Sequence, residues 1–147
     1  MDPRPALQLI WANGITIPIG LWSILRGDVI QRLPEEACGL IAGKDGLATA
    51  VAPITNSLHS PFRFQMDPRE QVARMLEFES IGQSLLAIYH SHPQGPATPS
   101  GTDIALSAYP EAVNLIVSPA NGEWQCRGFI IHQGVVREIP VHLQTLE

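Results

Sequence analysis

His90 and His92 are the residues of this chain whose type and spacing most directly suggest chemistry. They close a run, Ser84-Leu85-Leu86-Ala87-Ile88-Tyr89, that is apolar almost throughout and reads as a central strand covered on both faces. Side chains alternate across a strand, so the two imidazoles project to the same side, about 6.6 to 7 Å apart along it. Two imidazoles so placed can converge on one ion. Imidazole with carboxylate is a ligand set that suits zinc, and a catalytic zinc takes three protein ligands with water in the fourth position. Asp103 is the natural third ligand. The Pro-rich stretch Pro93 to Pro99 returns the chain, and Ser100-Gly101-Thr102-Asp103 reads as a helix start with the carboxylate in its first turn. Unpaired amides and the helix dipole favour the ionised form there, the form that binds metal.

A hydrolytic zinc site also needs a base that is not itself a ligand, to take a proton from water and pass it to the leaving amine. Glu36 fits, because it directly precedes Ala37-Cys38-Gly39-Leu40-Ile41-Ala42, an apolar run that places it at the rim of a buried strand. Glu35 stands beside it, and composition does not choose between the two.

The elements that must position these groups follow from periodicity and punctuation. Strands are expected over Ala6 to Ile10 and Ile15 to Ile17. A helix follows from Pro18 to Leu33, with Leu21, Trp22, Leu25, Val29, Ile30 and Leu33 on one face and Pro34 as its stop. Gly43-Lys44-Asp45-Gly46 turns the Ala37 strand into a hairpin with Leu47 to Val51, and a polar loop runs from Pro53 to Pro61. Asp67-Pro68-Arg69-Glu70 carries an N-cap, a proline at the first helical position and an acid three residues past the cap. It predicts a helix to about Gly82 with Val72, Met75, Leu76 and Phe78 as its apolar face. A helix from Ser100 to about Ala108 and strands over Val113 to Ser118, Trp124 to His132 and Val135 to Val141 complete an α/β (α+β) mixed sheet flanked by helices.

Composition narrows the function classes. The 147 residues, 45% hydrophobic, suffice for one packed domain over 1–147 and are too few for two ordinary ones. A formal charge of −5 without a basic stripe argues against nucleic acid as a partner. No apolar stretch approaches the roughly 20 residues of a membrane span, and Met1-Asp2-Pro3-Arg4-Pro5 lacks the pattern of a signal peptide, so cytoplasmic residence is expected. Cys38 and Cys126 form no C-x-x-C pair and read as buried, reduced thiols. His59, His132 and His142 lack partners nearby in sequence and read as structural or surface residues. Trp11, Trp22 and Trp124 read as core or interface material.

Glu36-x-Cys38-Gly39-Leu40 followed by His90-x-His92, seven residues, Ser100, two residues and Asp103 resembles the motif of the JAMM (MPN+) metalloproteases, zinc-dependent isopeptidases that release ubiquitin or ubiquitin-like proteins. The resemblance runs from Pro34 to about Phe129. It includes Ser60-Pro61-x-x-Phe64-x-Met66-Asp67-Pro68, which is similar to the family's short prokaryotic branch. It implies a cytidine-deaminase-like JAMM/MPN fold, one Zn2+ per chain on His90, His92 and Asp103, and Glu36 rather than Glu35 as general acid/base. Ser100 would hydrogen-bond the developing oxyanion. The implied substrates are ubiquitin-like or sulfur-carrier proteins cut after a C-terminal Gly-Gly. Separately from the resemblance, Arg63, beside Phe64, is a candidate contact for a substrate tail. Members often dimerise, which makes a homodimer a candidate assembly. The rival from another class is a non-catalytic MPN-type scaffold for dimerisation or complex assembly, but such members lack one or more ligands and this chain retains them all. A zinc nucleobase deaminase would need His-x-Glu and Pro-Cys-x-x-Cys, and neither occurs.

Overall fold

The computed structural model describes residue 10 and residues 12–145. Eight strands form one mixed sheet: β1 (Ile15–Pro18), β2 (Cys38–Lys44), β3 (Leu47–Ile54), β4 (Ser84–Ser91), β5 (Val113–Ala120), β6 (Glu123–His132), β7 (Val135–Ile139) and β8 (Val141–Gln144). Their order is β7-β6-β5-β4-β2-β3-β1-β8. Among the described residues, the helices with both ends given are α1 (Ile19–Arg32), α2 (Pro68–Ser80) and α3 (Gly101–Ala105). β4 is central, as expected, and the structure pairs it antiparallel with β2 and parallel with β5.

The sheet curls. Only Pro140 separates β7 from β8, yet these strands are opposite ends of the order, which in a flat sheet would put them about 34 Å apart. Inside the curl, Ile15 and Ile17 of β1 and Ile130 and Ile139 of β6 and β7 share one core with Trp22, Leu25 and Val29 of α1. On the other face, α2 lays Phe78 and Met75 over Cys38, Leu40, Ala52 and Ile54. Among the described residues no helix is long and apolar enough to cross a membrane.

Several expectations are corrected. The strand expected over Ala6 to Ile10 lies outside the described residues except for Ile10, which is helical, and Trp11 also lies outside them. The expected strand Val135 to Val141 is two strands, because Pro140 has no N–H to donate and β8 pairs instead with β1 in parallel. Ile30 on α1 and Leu33 just past its end are exposed, and Asp28 is buried on the helix. On α2, Val72 and Leu76 are 57% and 60% exposed, because only the edge carrying Met75 and Phe78 meets the sheet. The cap of α2 is half as expected: Asp67 accepts from the N–H groups of Arg69 and Glu70, but Glu70 accepts from Thr55 instead of closing a capping box. Helix α3 ends at Ala105, short of Ala108.

Candidate active site

The register of β2 against β4 assembles the site. Cys38 faces His90 across the antiparallel pair, so the residues entering β2 share a rim with those leaving β4. The Ala37 N–H donates to Ser91 Oγ at 2.8 Å and the Ser91 N–H to the Ala37 carbonyl at 3.0 Å, locking Glu36 beside the two histidines. His90 and His92 are 3% and 8% exposed, and their Nε2 atoms lie 3.0 Å apart. The N-terminus of α3 brings Asp103 to them, with Oδ2 3.2 Å from His90 Nε2 and 3.1 Å from His92 Nε2. Ser100 and Asp103 form a closed capping box, in which the Asp103 N–H donates to Ser100 Oγ and the Ser100 N–H to Asp103 Oδ2. That box fixes the carboxylate before any ligand arrives.

These donor atoms fit a divalent metal. Their edges of 3.0 to 3.2 Å are close to the about 3.3 Å that separates ligand atoms around a tetrahedral zinc. His92 Nδ1 lies 2.7 Å from the Pro96 carbonyl, a bond that places its proton on Nδ1 and leaves the Nε2 lone pair facing inward. The His90 ring stacks on Phe64 with centroids 4.5 Å apart. Burial pulls His90 below the usual histidine range despite its bond to Asp103, favouring the neutral form a metal requires. His92 goes the other way: burial lowers it, but Asp103 and the Pro96 carbonyl together raise it. Burial would raise the Asp103 carboxyl, but the two adjoining imidazoles and the Ser100 N–H hold it well below the usual range.

Glu36 also joins this group. Its carboxylate lies with His90 and His92 in a cluster whose ligand atoms are all within 4.8 Å of one another. Glu36 is 4% exposed, and among the described residues its Oε1 has no hydrogen-bond partner. Burial pushes its carboxyl up to about 7, with His92 lowering it and Asp103 raising it. Glu35, by contrast, turns outward to His59 at 3.3 Å.

Two clefts flank the cluster. One of about 540 Å³ runs along Phe64, Met66, Leu106 and Tyr109 to His90 and Asp103, with Arg63 on its wall. The other, about 350 Å³, lies between Pro61 and the 93–99 loop and reaches Glu36, His92 and Ser100. Phe62, 74% exposed, borders both. Cys38 is not among the donors, since its Sγ donates to the Ile54 carbonyl on the α2 side. Sequence reasoning missed Phe62, Ser91 and Asn56. Phe62 could have been flagged as an apolar residue inside a polar loop, but the contacts of the other two carry no sequence signal.

The fold of this curled mixed sheet is shared with solved structures. The structure of AF2198, a JAB1/MPN domain protein from Archaeoglobus fulgidus, shares the fold at TM-score 0.54 and 20% identity over 87% of this chain and 99% of that one. Protein DSY2949 from Desulfitobacterium hafniense matches at TM-score 0.81 and 34% identity, over 90% and 94%. The family described as prokaryotic homologs of the JAB domain matches residues 19–128, and this chain belongs to that family. It is 31% identical to the CysO-cysteine peptidase of Mycobacterium tuberculosis over 82% of this chain and 90% of the relative. It is 34% identical to a probable TtuB-protein conjugate cleaving protease of Thermus thermophilus, over 88% and 93%.

Proposed function

We propose that this chain is a zinc-dependent peptidase that hydrolyses the amide bond following the C-terminal Gly-Gly of a ubiquitin-like or sulfur-carrier protein. The observation that carries the reading is the triangle of His90, His92 and Asp103 with the unpartnered Glu36 carboxylate beside it. Those three residues would hold the metal, which when bound polarises a carbonyl and makes water a nucleophile near neutral pH. Glu36 takes the proton from the attacking water and returns it to the departing amine. Burial raises its carboxyl, which favours holding the proton between the two transfers. Ser100 Oγ accepts from the Asp103 N–H, leaving its own proton to donate to the oxyanion of the tetrahedral intermediate.

The two clefts give the substrate a direction. Because Glu36 must reach the leaving amine, that amine occupies the smaller cleft, which Glu36 borders, and the carrier's tail lies in the larger, apolar one. The relatives named for CysO and TtuB support the choice of carrier. An intact donor set speaks against the scaffold alternative. The test is to incubate zinc-loaded protein with carriers of the CysO and TtuB type, each joined after Gly-Gly to a cysteine or to a lysine side chain, and to read intact masses. Release of the carrier cut directly after Gly-Gly is expected. Uncut substrates throughout, or cleavage elsewhere, would contradict the reading.

A further inference from the structure

We infer that Asn56 is a positioning residue for Glu36, an inference that rests on the reading of Glu36 as the acid/base. Asn56 follows β3, is 3% exposed, and bridges to Met66 as an isolated antiparallel pair, closing residues 57–65 into a loop. Its Nδ2 donates to the Glu36 carbonyl and the Arg63 carbonyl, each at 3.0 Å, with the Ser60 carbonyl at 3.4 Å. Its Oδ1 accepts from the Leu58 and Gln65 N–H groups, both at 3.1 Å. One side chain thus spends its whole hydrogen-bonding capacity on this junction.

Glu36 is tied to the same loop from its other side, for its N–H donates to the Ser60 carbonyl at 2.9 Å. Strand β2 begins only at Cys38, so the main chain of Glu36 is held by the Asn56 loop rather than by a sheet neighbour. That loop also carries Phe62, which borders both clefts, and Phe64, which backs His90. Asn56 therefore sets where the Glu36 carboxylate stands relative to the histidines, without touching substrate. The candidate ligands stand outside that loop, His90 in β4, His92 directly after it and Asp103 in α3, and the loop meets them through the Phe64 ring on His90.

Asn56→Asp keeps the size and the acceptor and removes the donor, and Asn56→Ala removes both. Each is expected to lower kcat about 10- to 100-fold on a cleaved carrier conjugate, with KM changed less and bound zinc retained, as for a misplaced catalytic group. In a Glu36→Gln background the same change at Asn56 should cost less than threefold, because its route to the reaction is already gone. Losses that multiply in the double variant, or a loss confined to KM, overturn the inference while leaving the peptidase reading intact. If wild-type protein cleaves nothing, the peptidase reading falls and this inference with it. Amide hydrogen exchange on the wild-type protein needs no variant to fold: the N–H groups of Glu36, Leu58 and Gln65 should be protected together. Fast exchange at Glu36 beside protected Leu58 and Gln65 would overturn the tie.

Discussion

Glu35 and Glu36 are adjacent and chemically identical, yet one reaches solvent and His59 while the other is buried beside two imidazoles with a carboxylate oxygen unpartnered. Under the proposed mechanism the difference is directly measurable. Glu36→Gln keeps the shape and cannot take a proton, so hydrolysis should fall about 10²- to 10⁴-fold while zinc stays bound; near-full activity would assign the base elsewhere. Glu36, His90, His92 and Asp103 were legible in the sequence because each adjoins a local signal: a buried strand's start, another strand's end, and a capping motif. Ser100 was legible through that same capping motif. Asn56 was not, because its partners are main-chain groups of a loop, and nothing in a sequence marks which carbonyl a folded loop will present.

At the scale of elements, the Cys38-Gly39-Leu40 part of the motif has a packing reason. Gly39 sits opposite Tyr89 in the β2–β4 register, and a Cβ there would lie 2.3 Å from the Tyr89 ring. The ring cannot swing away freely, since its hydroxyl donates to the buried Asp28 carboxylate at 2.7 Å, and Asp28 also accepts from Arg32. Gly39→Ala should therefore destabilise the fold by about 1–3 kcal/mol in a denaturant titration, and an unchanged midpoint would mean the pair is looser than it stands here. Helix periodicity found α1 and α2 but overstated their apolar faces. Ile30, Val72 and Leu76 have the right residue type and the wrong azimuth, and only the width of the sheet beneath decides which positions are covered. The first hairpin turn was read too long: Gly43 and Lys44 belong to β2, and only Asp45 and Gly46, both at positive φ, make the turn.

For the whole molecule, the curl of the sheet was not legible. It depends on β8 crossing to pair with β1, a contact between the two ends of the chain that no local pattern announces. The cores on the two faces of the sheet favour protonated groups: Tyr89 and Cys38 are buried, and Cys126, expected to be buried, is partly so. Burial pushes the Cys38 and Cys126 thiols up to about 12, and burial together with Asp28 raises the Tyr89 phenol above its ordinary range. Folding thus favours the protonated forms. Their contribution is fully present below the unfolded thiol value of about 8.5 and is lost progressively as pH rises toward 12. The melting temperature should hold between pH 7 and 8.5 and fall above it in calorimetry, and a flat profile to pH 10.5 would contradict this burial.

The central claim is that His90, His92 and Asp103 grip the ion while Glu36 stands free of it. Zinc content per chain, measured on purified wild type and on the four variants His90→Ala, His92→Ala, Asp103→Ala and Glu36→Gln, separates this from the alternative trio in which Glu36 is itself a ligand. One zinc in wild type and Glu36→Gln, with a large loss in the other three, is the predicted result. Zinc lost from Glu36→Gln but kept by Asp103→Ala would contradict it.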